Sequence, residues 1–405
     1  MDLNFLTLAD TPEDLQPVRE LLADFEREQQ IQIALGRVSW DRAWQVLLMD
    51  AVNGKGPHVS QIGSTWAATM AMLDALRVFK PEDVSAFGGA SRFLPAAWET
   101  VKFTDRPEVW AIPWSIYTFV LYYRKDLLAK AEIDPTIAFS TPAMMHETFA
   151  KLNRYEITPW VFPSLHPYAD LVHIASSWAR ANGSEFINAN GREPLFAKPE
   201  ASTGLVDFFG LFPFIPAELR GLNIEKCTEA FARGDVAVMI GGVEIATELM
   251  ESPHASQAMR DDNLGVTTLP GVPWIGGDHL VVWKNVLTDA KHEQAALELV
   301  RFLSKRETQI QLFNLEGILP ARADAYDELT FLLETTAPTV QRILKTGRPH
   351  PTLRLWRRIE AFLDEMLLDI GSTVLRQYNV SPSGIVNQML NEYEQKLSAV
   401  LKGQL

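Results

Sequence analysis

Indole rings and carboxylates near the ends of short apolar segments carry the most specific chemistry in this chain. Of its 11 tryptophans, Trp66, Trp114 and Trp274 each stand beside a polar or glycine-bearing turn, and Trp40 sits next to Asp41 where a helix begins. A pyranose offers C–H faces that pack on indole and a rim of hydroxyls that needs carboxylates and amides, so this pairing suits sugar recognition. Asp10, Asp41 and Asp278 could accept such hydroxyls in charge-assisted bonds. Helix capping is the competing role for Asp10 and Asp41. Asp278 has no following helix to cap, which makes it the strongest of the three. Trp44 and Trp178 lie within helical stretches and read as packing.

The elements that must position these residues follow from periodicity. Asn4 to Leu8 reads as a strand, and Leu15, Val18, Leu22 and Phe25 recur at helical spacing behind Thr11-Pro12. Ile31 to Leu35 alternates as a second strand, Trp40, Trp44, Leu47 or Leu48, and Ala51 mark a helix ending at Asn53-Gly54, and Val59 to Ile62 forms a third strand. Alternating strands and helices predict a parallel sheet covered by helices, an α/β fold. Ligands of such sheets bind beyond the carboxyl ends of the strands, here Asp10, Trp40-Asp41 and Ser64-Thr65-Trp66.

Glu229 to Glu244, EAFARGDVAVMIGGVE, predicts a helix stopped by Gly234, then a strand through Val236, Val238 and Ile240. Gly241-Gly242 ends that strand with backbone that a bound molecule can approach closely, with Glu244 beside it. Tyr117 opens a strand reaching Tyr123, and Gly276-Gly277 precedes Asp278 and a strand from Leu280 to Trp283. From Ala325 onward the chain reads as helical. One stripe runs through Leu353, Trp356, Ile359, Leu363 and Leu367, and another through Ile385, Met389, Tyr393, Leu397 and Leu401.

Other chemistries find little support. His166, Asp170 and His173 could share a helical face for a metal, but Pro167 interrupts the first turn and no third histidine follows. No nucleophile elbow, phosphate-binding glycine loop or dinucleotide fingerprint stands between strand and helix. The single cysteine, Cys227, rules out an internal disulfide and reads as apolar filling. No catalytic residue, metal or cofactor is expected.

At 405 residues the chain suits two lobes, and a formal net charge of −14 disfavours nucleic acid and anionic membranes as partners. No segment reaches the ~20 apolar residues of a membrane span. The first residues, MDLNFLTLAD, lack the basic and apolar regions of an export signal and run directly into the first strand.

Several segments together resemble family 1 extracellular solute-binding proteins, the sugar-capturing subunits of bacterial ABC importers. EAFARGDVAVMIGGVE is similar to the family's "AF.xG.xAM....G.W", PHVSQIGSTW (57–66) to its "PDVv..g..W" loop, and VWAIPWSIYTFVLYYRKDLL (109–128) to its "vyglP....lyYNkdl" crossover. LPGVPWIGGDHLVVW (269–283), AALELVRFLSKRETQ (295–309) and GILPAR (317–322) resemble the return crossover and the helices after it.

The resemblance implies a two-lobe periplasmic-binding-protein type II fold, with a hinge, a ligand cleft between lobes and C-terminal helices. The expected division is 1–110 with 281–325 for the N-terminal lobe, and 111–280 with 326–405 for the other. It implies a small solute, most readily a mono- or oligosaccharide, delivered to a membrane permease by a monomer outside the cytoplasm whose export signal or lipid anchor has been removed. Trp356 matches the position of a stacking tryptophan in maltose-binding members. Glu244 stands where the family pattern has an aromatic, Val238 where it has methionine, and Arg124 where it has asparagine. A carbohydrate-active enzyme using cleft carboxylates and a ligand-sensing input domain remain alternatives. So does a glycerol phosphate or uronate ligand, met by Arg37 or Arg322.

Overall fold

The computed structural model describes residues 2–103, 106–165, 170–329, 334–377 and 380–403. His166, one of the three residues weighed above for a metal, lies outside the described residues. Strands follow in the order β1 (Asp2–Leu8), β2 (Gln32–Val38), β3 (Val59–Gly63), β4 (Ile112–Pro113), β5 (Ser115–Ile116), β6 (Phe119–Arg124), β7 (Trp160–Val161), β8 (Val238–Gly242), β9 (Leu264–Thr268), β10 (Asp278–Val282) and β11 (Leu319–Pro320). Among the described residues no helix is long and apolar enough to cross a membrane.

The chain divides into two compact units. The first comprises Met1–Tyr117, Ile275–Thr330 and Pro349–Arg357, and the second Thr118–Trp274, Phe331–Arg348 and Arg358–Leu405.

The first unit is built on a sheet of order β2-β1-β3-β10-β4. β1 runs parallel to β2 from Asp2↔Gln32 to Leu8↔Val38 and parallel to β3 through Phe5↔Val59, while β10 is antiparallel to β3 with Asp278 opposite Gly63. β3 is buried along its whole length, as expected of a central strand covered on both faces. Helix α1 (Gln16–Gln29) takes Pro17 in its first turn, where a missing N–H costs nothing, and buries Val18, Leu21, Leu22 and Phe25. Helix α2 (Trp40–Asn53) ends at Gly54 in the left-handed conformation. Its buried face is Ala43, Leu47 and Ala51, so the stripe begun at Trp40 is off by part of a turn: Trp40 is 42% exposed and Trp44 only half-buried.

The second unit holds a sheet of order β7-β8-β6-β9, with β6 antiparallel to both β8 and β9. Strand alternation sends Tyr122 inward, fully buried, and leaves Tyr123 half-exposed. The helix Ile224–Arg233 is capped by the Asn223 side chain, which accepts from Lys226 N–H, and stopped by Gly234 at φ +89°. That glycine also gives room to Arg124. A Cβ there would lie 2.6 Å from an Arg124 guanidinium nitrogen, and the buried arginine pairs with both oxygens of Asp126 at 2.9 and 2.8 Å. Arginine after the tyrosine pair is thus matched to its own aspartate and to Gly234.

The terminal helices depart from the expected stripes at their edges. Trp356–Arg376 begins at Trp356, leaving Leu353 outside it, and Pro382–Leu401 buries Ile385, Val386, Leu390, Tyr393 and Leu397, with Met389 and Leu401 at the margin. Asp170 lies before the helix Leu171–Ala181, at φ +50°, so it does not share that helix's face with His173.

Candidate functional site

The register of the first unit brings its candidate residues to one edge. β1, β2 and β3 are parallel, so Asp10, Trp40-Asp41 and Ser64-Thr65-Trp66 all follow carboxyl ends of strands. β10 is antiparallel and therefore starts at that same edge, placing Gly277 and Asp278 beside Gly63 and Ser64; Ser64 N–H donates to Gly277 O at 2.9 Å. Tyr117 is bridged to Gly276 by backbone bonds in both directions.

The aromatic part of this edge is a group of three indoles. Trp66 meets Trp40 edge to face at 5.9 Å between centroids and Trp44 at 5.8 Å. The Arg357 guanidinium lies over the Trp44 ring at 5.3 Å, a cation–π arrangement. Trp44, whose mid-helix position reads as packing, thus belongs to the same cluster. Asp10 accepts the backbone N–H of Trp40 at 3.0 Å, so its carboxylate does hold the start of α2, and Asp41 is hydrogen-bonded by the Ser39 hydroxyl.

Trp114 and Trp356 are differently placed. Trp114 is 3% exposed and edge-on to Phe5 at 6.3 Å, a core arrangement; its backbone, rather than its ring, serves the edge by donating to Asp278 O. Trp356 is 2% exposed and stacks on His350 at 4.6 Å.

The polar part of the edge centres on Asp278. One carboxylate oxygen accepts from Gln61 Nε2 at 2.9 Å and from Ser115 Oγ at 3.2 Å, while Asp278 N–H donates to Ser115 Oγ at 3.1 Å. Burial, only partly offset by those two donors, pushes its carboxyl up to about 6. Gln61 is none of the candidate residues that the sequence singles out. The available signal was a long polar side chain inside an otherwise buried strand, VSQIG, where an amide must find partners. The two arginines weighed for an acidic solute are committed within this unit. Arg37 donates to the carbonyls of Ala9 and Asp10, and Arg322 to both oxygens of Asp324 and to Phe87 O.

In the second unit the candidates are Gly242, Glu244 and Trp274. Gly242 O accepts the buried Tyr122 hydroxyl at 2.6 Å, and a Cβ on Gly242 would fall 2.0 Å from a Glu244 carboxylate oxygen. The absent side chain thus accommodates Glu244, which folds back over the strand. Trp274, 5% exposed, lies flat on His173 at 3.9 Å with 4° between planes, and its carbonyl accepts the Thr118 hydroxyl at 2.7 Å.

Among the described residues no three His, Cys, Asp or Glu side chains stand close enough to hold a metal. Cys227 is buried, and that burial pushes its thiol up to about 12, so a thiolate is not available at neutral pH.

Comparison with known proteins agrees with this architecture. A sequence profile of the family described as bacterial extracellular solute-binding protein matches residues 20–339. A galactooligosaccharide-binding protein of Bacillus subtilis (strain 168) is 23% identical over 375 residues, covering 88% of this chain and 82% of the relative. The sugar-binding protein MalE of Xanthomonas citri superposes with a TM-score of 0.81 at 20% identity, covering 99% of this chain and 98% of the other. Maltose-bound MalE3 of T. maritima gives 0.80 at 19% identity, covering 98% and 99%.

Proposed function

Because the chain belongs to the bacterial extracellular solute-binding proteins, we propose that the solute it captures is a neutral carbohydrate and that it hands this solute to the membrane permease of an ABC importer. The observation that carries this reading is the edge of the first unit, where a part-exposed indole pair, Trp40 and Trp66, stands on the same strand ends as Asp10, Asp41 and Asp278. Flat apolar faces beside hydroxyl acceptors match a pyranose. A relative named for galactooligosaccharide binding and a similar structure with maltose bound support the same class.

An acidic solute is disfavoured. Three carboxylates border the edge, and Arg37 and Arg322 point their donors at carbonyls and at Asp324. Catalysis is not part of the proposal: the protein binds and releases its solute unchanged, as a monomer outside the cytoplasm, free or held to the membrane by a lipid anchor.

The test is a thermal-shift and calorimetry series with maltose and galactotriose against galacturonate and glycerol 3-phosphate. Saturable binding of either neutral sugar, recovered intact by mass spectrometry, is expected. Tight binding of the acidic compounds alone would overturn the neutral-sugar reading, and turnover of a bound oligosaccharide would overturn the non-catalytic one.

A further inference from the structure

Gln61 occupies an unusual position. It is a 7%-exposed amide in the middle of β3, on the face it shares with Thr7 of β1 and Asp278 of β10. Its orientation is fixed by its hydrogen-bond partners. Leu8 N–H donates to Gln61 Oε1 at 2.9 Å and the Thr7 hydroxyl donates to the same oxygen at 2.5 Å, so the oxygen must lie there and the NH2 must face Asp278. The chain of bonds therefore runs one way, from β1 through Gln61 to Oδ2 of Asp278, where Ser115 adds a second donor.

Both groups that grip this oxygen are neutral. Among the described residues no cation pairs with Asp278, and its other oxygen has no hydrogen-bond partner. His279, the adjacent titratable side chain, points to the opposite face, where it meets Thr100. A part-buried carboxylate held on one side and open on the other is poised to accept from a donor that arrives with a solute.

We propose that Gln61 is a positioning residue for solute capture: anchored by Leu8 and Thr7, it fixes one oxygen of Asp278 so that the other meets a hydroxyl of a neutral sugar. This rests on the carbohydrate reading above, to which it adds the residue that aims the acceptor.

The experiment uses the full chain as wild type, Gln61→Leu, Gln61→Met and Asp278→Asn. The Asp278 carboxyl is titrated by carbon NMR without ligand, its signal assigned by loss in Asp278→Asn, and affinity for maltose and galactotriose is measured from pH 5 to 8. Removing the Gln61 donor should move the Asp278 midpoint upward, because a bond that favours the anion is lost. The pH below which sugar affinity falls should move upward with it, and affinity at pH 7 should drop roughly tenfold, as for one charge-assisted bond.

An unmoved Asp278 midpoint in Gln61→Leu overturns the positioning role whatever the sugar data show. A moved midpoint with an unmoved affinity profile overturns it as well, since Gln61 would then serve the fold alone. If Gln61→Leu fails to fold, Gln61→Met, which keeps the length of the side chain and removes the same donor, carries both readouts. Failure of the wild type to bind either sugar at any pH defeats the carbohydrate reading and with it the claim that a sugar hydroxyl meets the held carboxylate. A midpoint that still moved in that case would leave the grip of Gln61 on Asp278 standing while overturning its part in sugar capture.

Discussion

The backbone of Gly277 passes so close to Ser115 that a Cβ on the glycine would lie 2.1 Å from the serine's carbonyl oxygen. Gly277 is also at φ +139°, a region that residues with side chains seldom adopt. Close approach and backbone conformation thus demand the same residue, and they do so next to Asp278. Gly277→Ala should lower stability by about 1–3 kcal/mol through strain. Ser115 holds both the N–H and one oxygen of Asp278, so the substitution should also move the Asp278 titration. A melting curve and a carboxyl titration matching wild type would show that the two strands part without cost.

Asp278 itself should make the folded protein less stable when ionised. Its carboxyl, ordinarily at 3.8, is held at about 6 in the fold by burial. A folded value above the unfolded one means the fold prefers the protonated form, so stability declines as pH rises from about 4 to about 6 and the full penalty persists above that. The interval corresponds to about 3 kcal/mol at most. Asp278→Asn keeps an acceptor for Gln61 and Ser115 and removes the charge. The variant should melt higher than wild type at pH 8, converge with it near pH 4, and bind sugar more weakly. Equal melting at pH 8 would count against the buried anion.

His279, one residue on, works in the opposite sense. Thr100 Oγ donates to Ala97 O at 2.8 Å, so it accepts from His279 Nε2–H at 2.9 Å and fixes the neutral tautomer. Burial lowers the imidazole from 6.5 to about 4. Its contribution is therefore complete above pH 6.5 and lost as pH falls toward 4, where the unfolded chain binds the proton first. His279→Gln retains a donor for Thr100 without titrating. Stability measured between pH 6.5 and 4 should fall less steeply in this variant, and an unchanged slope would remove His279 from the acid transition.

How much of this was legible in the sequence depends on what each residue's role requires. The parallel order of β1, β2 and β3 and the stop at Gly234 follow from local periodicity and glycine chemistry, which a sequence displays directly. The roles of Trp40 and Trp114 do not. Both are indoles beside strand or helix ends, yet one is 42% exposed and the other 3%, because exposure depends on which neighbouring element covers the ring. Trp44 at mid-helix reads as core by period, but the face α2 buries is set by the small Ala43 and Ala51. Gln61 was hidden for a further reason. Its partners Leu8 and Asp278 lie 53 and 217 residues away, so only the sheet register brings them together.

The tryptophans divide by what truncation should remove. Trp40 is 42% exposed and meets Trp66 edge to face, while Trp66 is part-exposed in the same cluster. Trp40→Ala and Trp66→Ala should each weaken sugar binding by about 1–3 kcal/mol, as for an aromatic anchor, with little change in melting for Trp40. Trp274 is enclosed, stacked flat on His173 and tilted against Phe119 at 6.2 Å. Trp274→Ala should behave as a core deletion, with a loss of about 3–5 kcal/mol in folding stability. Melting curves and calorimetric affinities of the three variants, taken with the same sugar, separate the classes. If Trp40→Ala and Trp66→Ala both retain wild-type affinity while the sugar still binds, the edge of the first unit is not where the solute's ring rests. A Trp274→Ala protein that melts like wild type but loses affinity would instead place the stacking surface in the second unit.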